Sequence, residues 1–254
     1  MRLFLLGELV RRDFRARYAG SLLGFLWSFA QPLWQLLLFT FVFSGVLRVS
    51  LQGERTGNFA LYLFCGLLPY MALNEGVTRA STAVTDNAPL VKKLRFPLAL
   101  LVVTVVTTAL LHEAIALAVF LVVLAVLGEG SLQSLPLLAL ALPLQLGLTL
   151  GMGLLLATLQ VFVRDTAQAL GLLFTALFYF TPIVYPLAMV PDRYRPWLEL
   201  NPLTPLVEIY RSALIGGDLP SLGALSPLLL ATATALVVGV TVFRKCSTAF
   251  ADEL

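Results

Sequence analysis

Six stretches of this chain stay apolar for long enough to cross a lipid bilayer, and they leave little sequence between them. They run over residues 22–47, 59–80, 98–127, 135–163, 167–185 and 222–243. A hydrocarbon core takes about 20 consecutive apolar residues of helix, so a soluble fold is excluded. A spanning strand would alternate polar and apolar residues over about 10 positions, whereas residues 98–111 and 115–127 are apolar on every side. In lipid the backbone must satisfy its own hydrogen bonds, and a helix does this within one segment. The expected fold is an all-α integral membrane protein with six transmembrane helices, forming one transmembrane domain over residues 1–254.

Charge and cysteine usage narrow the function classes. Charged residues make up 12% of the chain, against roughly 25% in a soluble domain. The formal net charge is +3. In a membrane protein such basic residues answer first to topology and to anionic lipid headgroups, so nucleic acid is not an expected partner. Cys65 and Cys246 are the only cysteines and His112 the only histidine, so neither a disulfide framework nor a Cys- or His-rich metal centre is indicated.

Lys and Arg divide unevenly about the six spans. Twelve of the 17 fall on the side that holds Arg11, Arg12, Arg79, Lys92, Lys93, Arg164 and Arg244; the other side has Arg48, Arg55, Arg193, Arg195 and Arg211. The positive-inside rule makes the first side cytoplasmic and puts both termini there. The basic start before the first span is not read as a signal peptide, because the apolar run behind it is too long and has no small-residue cleavage site. Residues 1–18 read as an amphipathic helix. Leu3, Leu6, Val10 and Phe14 fall within about 80° of helix surface, opposite Glu8, Arg11, Arg12 and Arg15. An interfacial helix and a plain extension of the first span both fit.

Residues 82–97 form a short basic segment between spans two and three. Leu90, Val91 and Leu94 make an apolar flank that leaves Lys92 and Lys93 for a partner, as in a docking helix; a topology-setting loop is the other reading. Between spans five and six the sequence changes character. Pro182, Pro186, Pro191, Pro196, Pro202 and Pro205 are six of the chain's 14 prolines. Runs such as 203–215 are too short to span and read as re-entrant, a state tolerated only inside protein or beside an aqueous cavity. An extracellular gate over residues 182–217 fits, as does a passive hairpin. Glu208 and Arg211, three apart, are expected to pair on its polar surface for only tenths of a kcal/mol, roughly as other helix pairs do.

In the first span Trp27, Gln31, Trp34, Leu38 and Phe41 share about 80° of helix surface, with Phe25, Phe29 and Phe43 opposite. Aromatic rings beside a carboxamide suit the C–H faces of sugars, and they suit lipid equally. His112 with Glu113, and Asn74 with Glu75, are polar pairs at membrane depth. Such residues are functional candidates by default, or else hydrogen-bonded packing between helices. Gly20 with Gly24 and Gly147 with Gly151 have the spacing of close helix contacts.

No G-x-x-x-x-G-K-[ST] phosphate loop occurs, and no cytoplasmic stretch has the size of a nucleotide-binding domain. Nor is there a nucleophilic triad or paired-carboxylate site. Driven transport would need a motor on another polypeptide.

Residues 17–27 (RYAGSLLGFLW), followed by Pro32, resemble the amino-terminal signature of ABC transporter permeases that export bacterial cell-surface polysaccharides. Three later blocks are similar to that family in the same order: LVKKLRFP at 90–97, FVRD at 162–165, and TPIVYP at 181–186 with NPLTP at 201–205. The resemblance implies a type-2 ABC exporter permease that is not itself an enzyme. It implies two copies of this chain with two ATP-binding cassette subunits, which would hold the ATP and Mg; this chain would carry no cofactor. The cargo would be a lipid-linked polysaccharide such as O-antigen, capsular glycan or teichoic acid, moved across the inner membrane among its lipids. On this resemblance Pro89, Leu90, Lys92, Lys93 and Arg95 couple to the ATPase. Trp27, Gln31, Trp34 and Phe41 line the polysaccharide path. Pro182, Tyr185, Pro186, Asn201, Pro202, Glu208 and Arg211 build the gate. A related permease for a drug or lipid, a membrane enzyme acting on lipid-linked sugars and a passive channel are the competing readings.

Overall fold

The computed structural model of the protein describes residues 2–17, 19–46, 56–93, 96–217 and 219–254. Arg48, Arg55, Leu94, Arg95 and the Lys93 side chain lie outside the described residues. Every described regular element is helical: α1 (Arg2–Arg17), α2 (Trp27–Phe39), α3 (Phe59–Thr82), α4 (Ala88–Lys93), α5 (Ala99–Leu127), α6 (Leu138–Phe162), α7 (Thr166–Phe180), α8 (Arg195–Glu199), α9 (Leu203–Ile215), α10 (Leu222–Cys246) and α11 (Phe250–Glu253), with short 3-10 or π turns between them.

Among the described residues five helices are long and apolar enough to cross a membrane: Gly24–Phe43, Phe59–Thr82, Ala99–Leu127, Leu135–Phe162 and Leu222–Cys246. The fifth expected span is occupied by α7, whose 15 residues reach about 22 Å at 1.5 Å per residue. The apolar run continues past Phe180, but Thr181 turns extended because the following Pro182 disfavours helical backbone at the residue before it.

Central position goes to α3. Its most apolar window is 83% buried, against 17% for the α2 span and 22% for α5 and α10. It packs against α5, α6, α7 and α9. Asn58 starts it by accepting from the Ala60 N–H at 3.1 Å, which satisfies one of the donors that a helix N-terminus leaves over. At the same end of the bundle, where Thr56 donates to Glu129 at 3.1 Å, α5 stops at Gly128, whose φ of 71° is the left-handed cap that glycine adopts without steric cost. The α6–α7 corner is tied by one side chain: Gln160 accepts from the Ala167 N–H at 2.7 Å and donates to the Arg164 carbonyl at 3.0 Å.

Backbones touch where α6 crosses α10. A Cβ on Gly151 would lie 2.4 Å from the Ala235 carbonyl carbon, and one on Gly239 would lie 2.2 Å from the Gly151 oxygen. The close contact expected at Gly147 and Gly151 is therefore real, since van der Waals packing and not hydrophobic force holds helices together in lipid. The one expected at Gly20 and Gly24 is not. Those glycines adopt φ of 78° and 48° in the turn between α1 and α2, with open space where a Cβ would stand.

The amphipathic pattern of α1 is realised. Leu6, Val10 and Phe14 are half-buried, Glu8, Arg11, Arg12 and Arg15 are exposed, the Leu3 side chain lies outside the described residues, and the helix packs along α5.

Candidate functional site

A network of charges joins α1 to the bundle. Arg79 on α3 donates to both oxygens of Asp13 on α1, at 2.7 and 2.8 Å. Arg17, the last residue of α1, bonds Glu75 on α3 and His112 on α5. Glu75 also lies 3.6 Å from Arg79 and 3.7 Å from His112. One charge at bilayer depth costs from about 2.5 kcal/mol upward, yet two arginines here face two carboxylates. Glu75 and His112 thus come together, each paired away from its sequence neighbour. Above the network opens a cavity of about 340 Å³ lined by Arg17, Ser21, Trp27, Gln31, Glu75 and His112.

From that cavity the outer face of α2 runs upward. Its packed side is Ser28, Pro32 and Leu36, and the opposite side carries Trp27, Trp34 and Phe41, exposed by 46%, 61% and 63%. Gln31 is exposed beside them. Trp27 and Trp34 also border an apolar hollow of about 520 Å³ with Leu33 and Leu37. Phe43 on the other face packs inward, its ring 4.8 Å from Phe59.

Residues 182–217 fold as a tied hairpin. Pro182 and Pro186 are buried and Tyr185 half-buried; the Tyr185 hydroxyl donates to the Tyr179 carbonyl at 2.7 Å. Asn201 donates to the Phe180 carbonyl at 3.0 Å and to Thr181 Oγ1 at 2.9 Å, and accepts from the Leu203 N–H at 3.0 Å. It thereby joins the end of α7 to the start of α9, just before the N-cap residue Pro202. Glu208 and Arg211 do pair, at 2.9 Å, but the expectation of a surface pair is corrected. The Arg211 side chain is only 3% exposed. Its guanidinium lies 3.6 Å from the Tyr62 ring centroid and donates to the Ile183 carbonyl at 2.9 Å. Gly66 on α3 leaves room for it: a Cβ there would meet Arg211 Nη2 at 3.2 Å.

Residues 88–93 form the short helix expected between spans two and three. Val91 is buried and Leu90 half-buried, while Pro89 and Lys92 are exposed. Val91 belongs to a second apolar cluster with Val84, Leu101, Val161, Phe243 and Phe250.

Sequence reasoning missed Gln145 and Tyr210, which meet Glu113 where α6, α9 and α5 converge. The Tyr210 hydroxyl lies 2.7 Å from Glu113 Oε1 and 2.5 Å from Gln145 Oε1, and Gln145 Nε2 donates to Glu113 Oε2 at 2.7 Å. The usable signal was the carboxamide of Gln145 in the middle of the long apolar run of α6, since polar groups at membrane depth rarely lack a partner. Asp13 gave no signal, because it reads as part of a polar helix face.

Apolar helices of this length, packed about one buried central helix with a balanced charge network between them, define a multi-pass membrane protein. The chain belongs to the ABC-2 type transporter family, whose pattern matches residues 5–215; it is thus a transport component and not an enzyme. It is 31% identical over 252 residues to the O-antigen export system permease protein RfbA of Myxococcus xanthus, covering 98% of this chain and 95% of that one. It is 30% identical over 254 residues to a protein of the same name from Klebsiella pneumoniae, with the same coverage. It is 25% identical over 237 residues to the polysialic acid transport protein KpsM of Escherichia coli, 92% of this chain and 90% of the relative.

Proposed function

We propose that this chain is the permease subunit of an ATP-driven exporter that moves a lipid-linked cell-surface polysaccharide, O-antigen being the favoured cargo, outward across the inner membrane. The observation that carries this reading is the outward aromatic face of α2, continuous with the Arg17–Glu75–His112 cavity. Together with near full-length similarity to permeases named for O-antigen export, it supports a sugar-polymer cargo over a drug or lipid. Two copies would place two such faces about one path, and two ATP-binding cassette subunits would supply ATP and Mg.

On this reading both termini are cytoplasmic. Residues 1–18 lie at the interface, and residues 82–97, with Pro89, Leu90, Lys92, Lys93 and Arg95, meet the ATPase. The short α7 makes the sixth crossing, and residues 182–217 re-enter the membrane from outside as the gate. A bound glycan shifts the gate only as far as it prefers the open form, so glycan and nucleotide reinforce each other.

The test is reconstitution in vesicles with its ATP-binding partner subunit and lipid-linked O-antigen. ATP turnover should rise with the glycan, and the glycan should cross only with ATP present. Stimulation by drugs or phospholipid alone, or transport by the isolated chain without nucleotide, would reject it.

A further inference from the structure

Glu113, Gln145 and Tyr210 are 4%, 0% and 0% exposed, and their hydrogens can be counted. Three short contacts link them: Gln145 Nε2 to Glu113 Oε2, Tyr210 hydroxyl to Glu113 Oε1, and Tyr210 hydroxyl to Gln145 Oε1. A phenol has one hydrogen and an amide oxygen has none. Were Glu113 ionised, Tyr210 would donate to it and be left with its oxygen lone pairs against those of Gln145 Oε1 at 2.5 Å. No ion pair reaches Glu113 among the described residues, so that carboxylate would also be a bare charge at membrane depth. With Glu113 protonated every contact has one hydrogen. The amide donates to Oε2, the acid hydroxyl donates to Tyr210, and Tyr210 donates to the amide oxygen. Turning the amide over reverses the sense of the ring and still requires the acid hydrogen, then on Oε2. The present orientation is the better one, because it also lets Nε2 approach the Pro69 carbonyl on α3, at 3.4 Å.

We propose that Glu113, as a neutral acid, closes a hydrogen-bond ring with Gln145 and Tyr210 that makes α9 one body with α5 and α6, so that a displacement entering at α4 reaches α9 without loss. This rests on residues 182–217 being the gate. The connection is short: α4 lies between α3 and α5 in the chain, Glu113 is on α5, and α9 is buried along nearly its whole length against α3 and α6. The neighbouring ionisable side chains are committed elsewhere. Arg211 faces Glu208 and Tyr62, and Glu75 and His112 pair with Arg17. The three residues position the gate and touch no cargo. In a water-poor site a fully satisfied ring is stiff, and a broken one leaves buried groups unpaired.

The decisive variant is Glu113→Gln, whose carboxamide has a donor and an acceptor where the neutral acid has them. The assembled complex in vesicles is assayed for ATP turnover and glycan export, and the purified permease for thermal unfolding and for the infrared band of a protonated carboxylic acid. Glu113→Gln should keep turnover, export and unfolding temperature within about twofold or its equivalent of the parent, while losing the acid band that the parent shows. Glu113→Leu and Tyr210→Phe should still turn over ATP but export at least about tenfold less glycan per ATP. Failure of Glu113→Gln to the degree of Glu113→Leu, absence of the acid band in the parent, or full export by Tyr210→Phe would overturn the proposal. If the parent moves no glycan, the functional reading fails by itself, and the band and the Glu113→Gln unfolding still decide the ring. If Glu113→Leu and Tyr210→Phe do not fold, the same two measurements decide it.

Discussion

Arg211 sits where hydrocarbon-depth packing would ordinarily take an apolar side chain, and three partners make it tolerable. Its fork holds Glu208 on one side and the Ile183 carbonyl on the other, with the Tyr62 ring against its flat face. Lysine keeps the charge but has a compact ammonium with neither the fork nor the stacking plane. Arg211→Lys therefore leaves one acceptor unpaired, at a cost of about 1–3 kcal/mol for a buried group. The expected result is a lower unfolding temperature in detergent, with residues 182–186 opened to protease. An unchanged temperature would show that the triple contact carries no weight. The sequence did indicate this pair through its i, i+3 spacing. It did not indicate the burial, because Tyr62 and Ile183 are brought to Arg211 only by the docking of α9 on α3. Gln145 left only the sign of one carboxamide in an apolar run and Tyr210 left none, for the same reason: the ring exists only once three elements converge. The aromatic face of α2 was legible because its members share one helix and one angular sector.

At the scale of elements, α4 is too short to hold its own shape, since an isolated helix of fewer than about 12 residues is marginal in water. Its six residues are instead set on the apolar cluster that includes Val91 and Phe250. Phe250, on α11, is fully buried, with ring centroids 5.4 Å from Phe243 and 6.1 Å from Phe162. The C-terminal turn thus braces α4 against the ends of α6 and α10. Truncating a buried Phe costs about 3–5 kcal/mol, here spent on a segment that few other contacts hold. On the proposed reading of α4 as the segment that meets the ATPase, Phe250→Ala is expected to leave ATP turnover by the partner subunits in place and to lower export per ATP, as Lys92→Glu should by disturbing the exposed face of the same helix. Full export by Phe250→Ala in the reconstituted complex would remove α11 from the transmission. Five apolar spans could be placed from hydropathy to within a few residues. The short α7 could not, because apolarity continues to Tyr185 while the helix is ended by the backbone restriction that Pro182 imposes on Thr181. The α11 turn left no trace in the pattern, being a four-residue element whose one anchoring side chain packs on distant helices.

At the scale of the whole molecule, one copy leaves a broad apolar and aromatic face of α2 uncovered by its own core. Lipid would cover such a face equally along its length, but this one is not uniform. Its lower end, at Trp27 and Gln31, borders the cavity of Arg17, Glu75 and His112, whereas Trp34 lies among Leu33, Leu37 and Ala30. A graded surface of this kind suits a cargo with a charged head and an uncharged polymer behind it. On the proposed reading, two copies turn these faces toward a shared path. Ring stacking of aromatics on sugar faces demands no fixed register, so a polymer can advance one residue at a time without leaving a deep well. The benefit then grows with the number of sugars that must pass. Trp27→Ala and Trp34→Ala should lower export of long glycans more than that of short ones, seen as a shift of exported O-antigen toward short chains at unchanged permease level. The two sites should also differ. Trp27→Ala should add to this a smaller loss for short chains, because it opens the charged cavity, while Trp34→Ala should spare short chains. An equal loss across all lengths for both variants, or none, would mean that these rings face lipid and that the path lies elsewhere in the bundle.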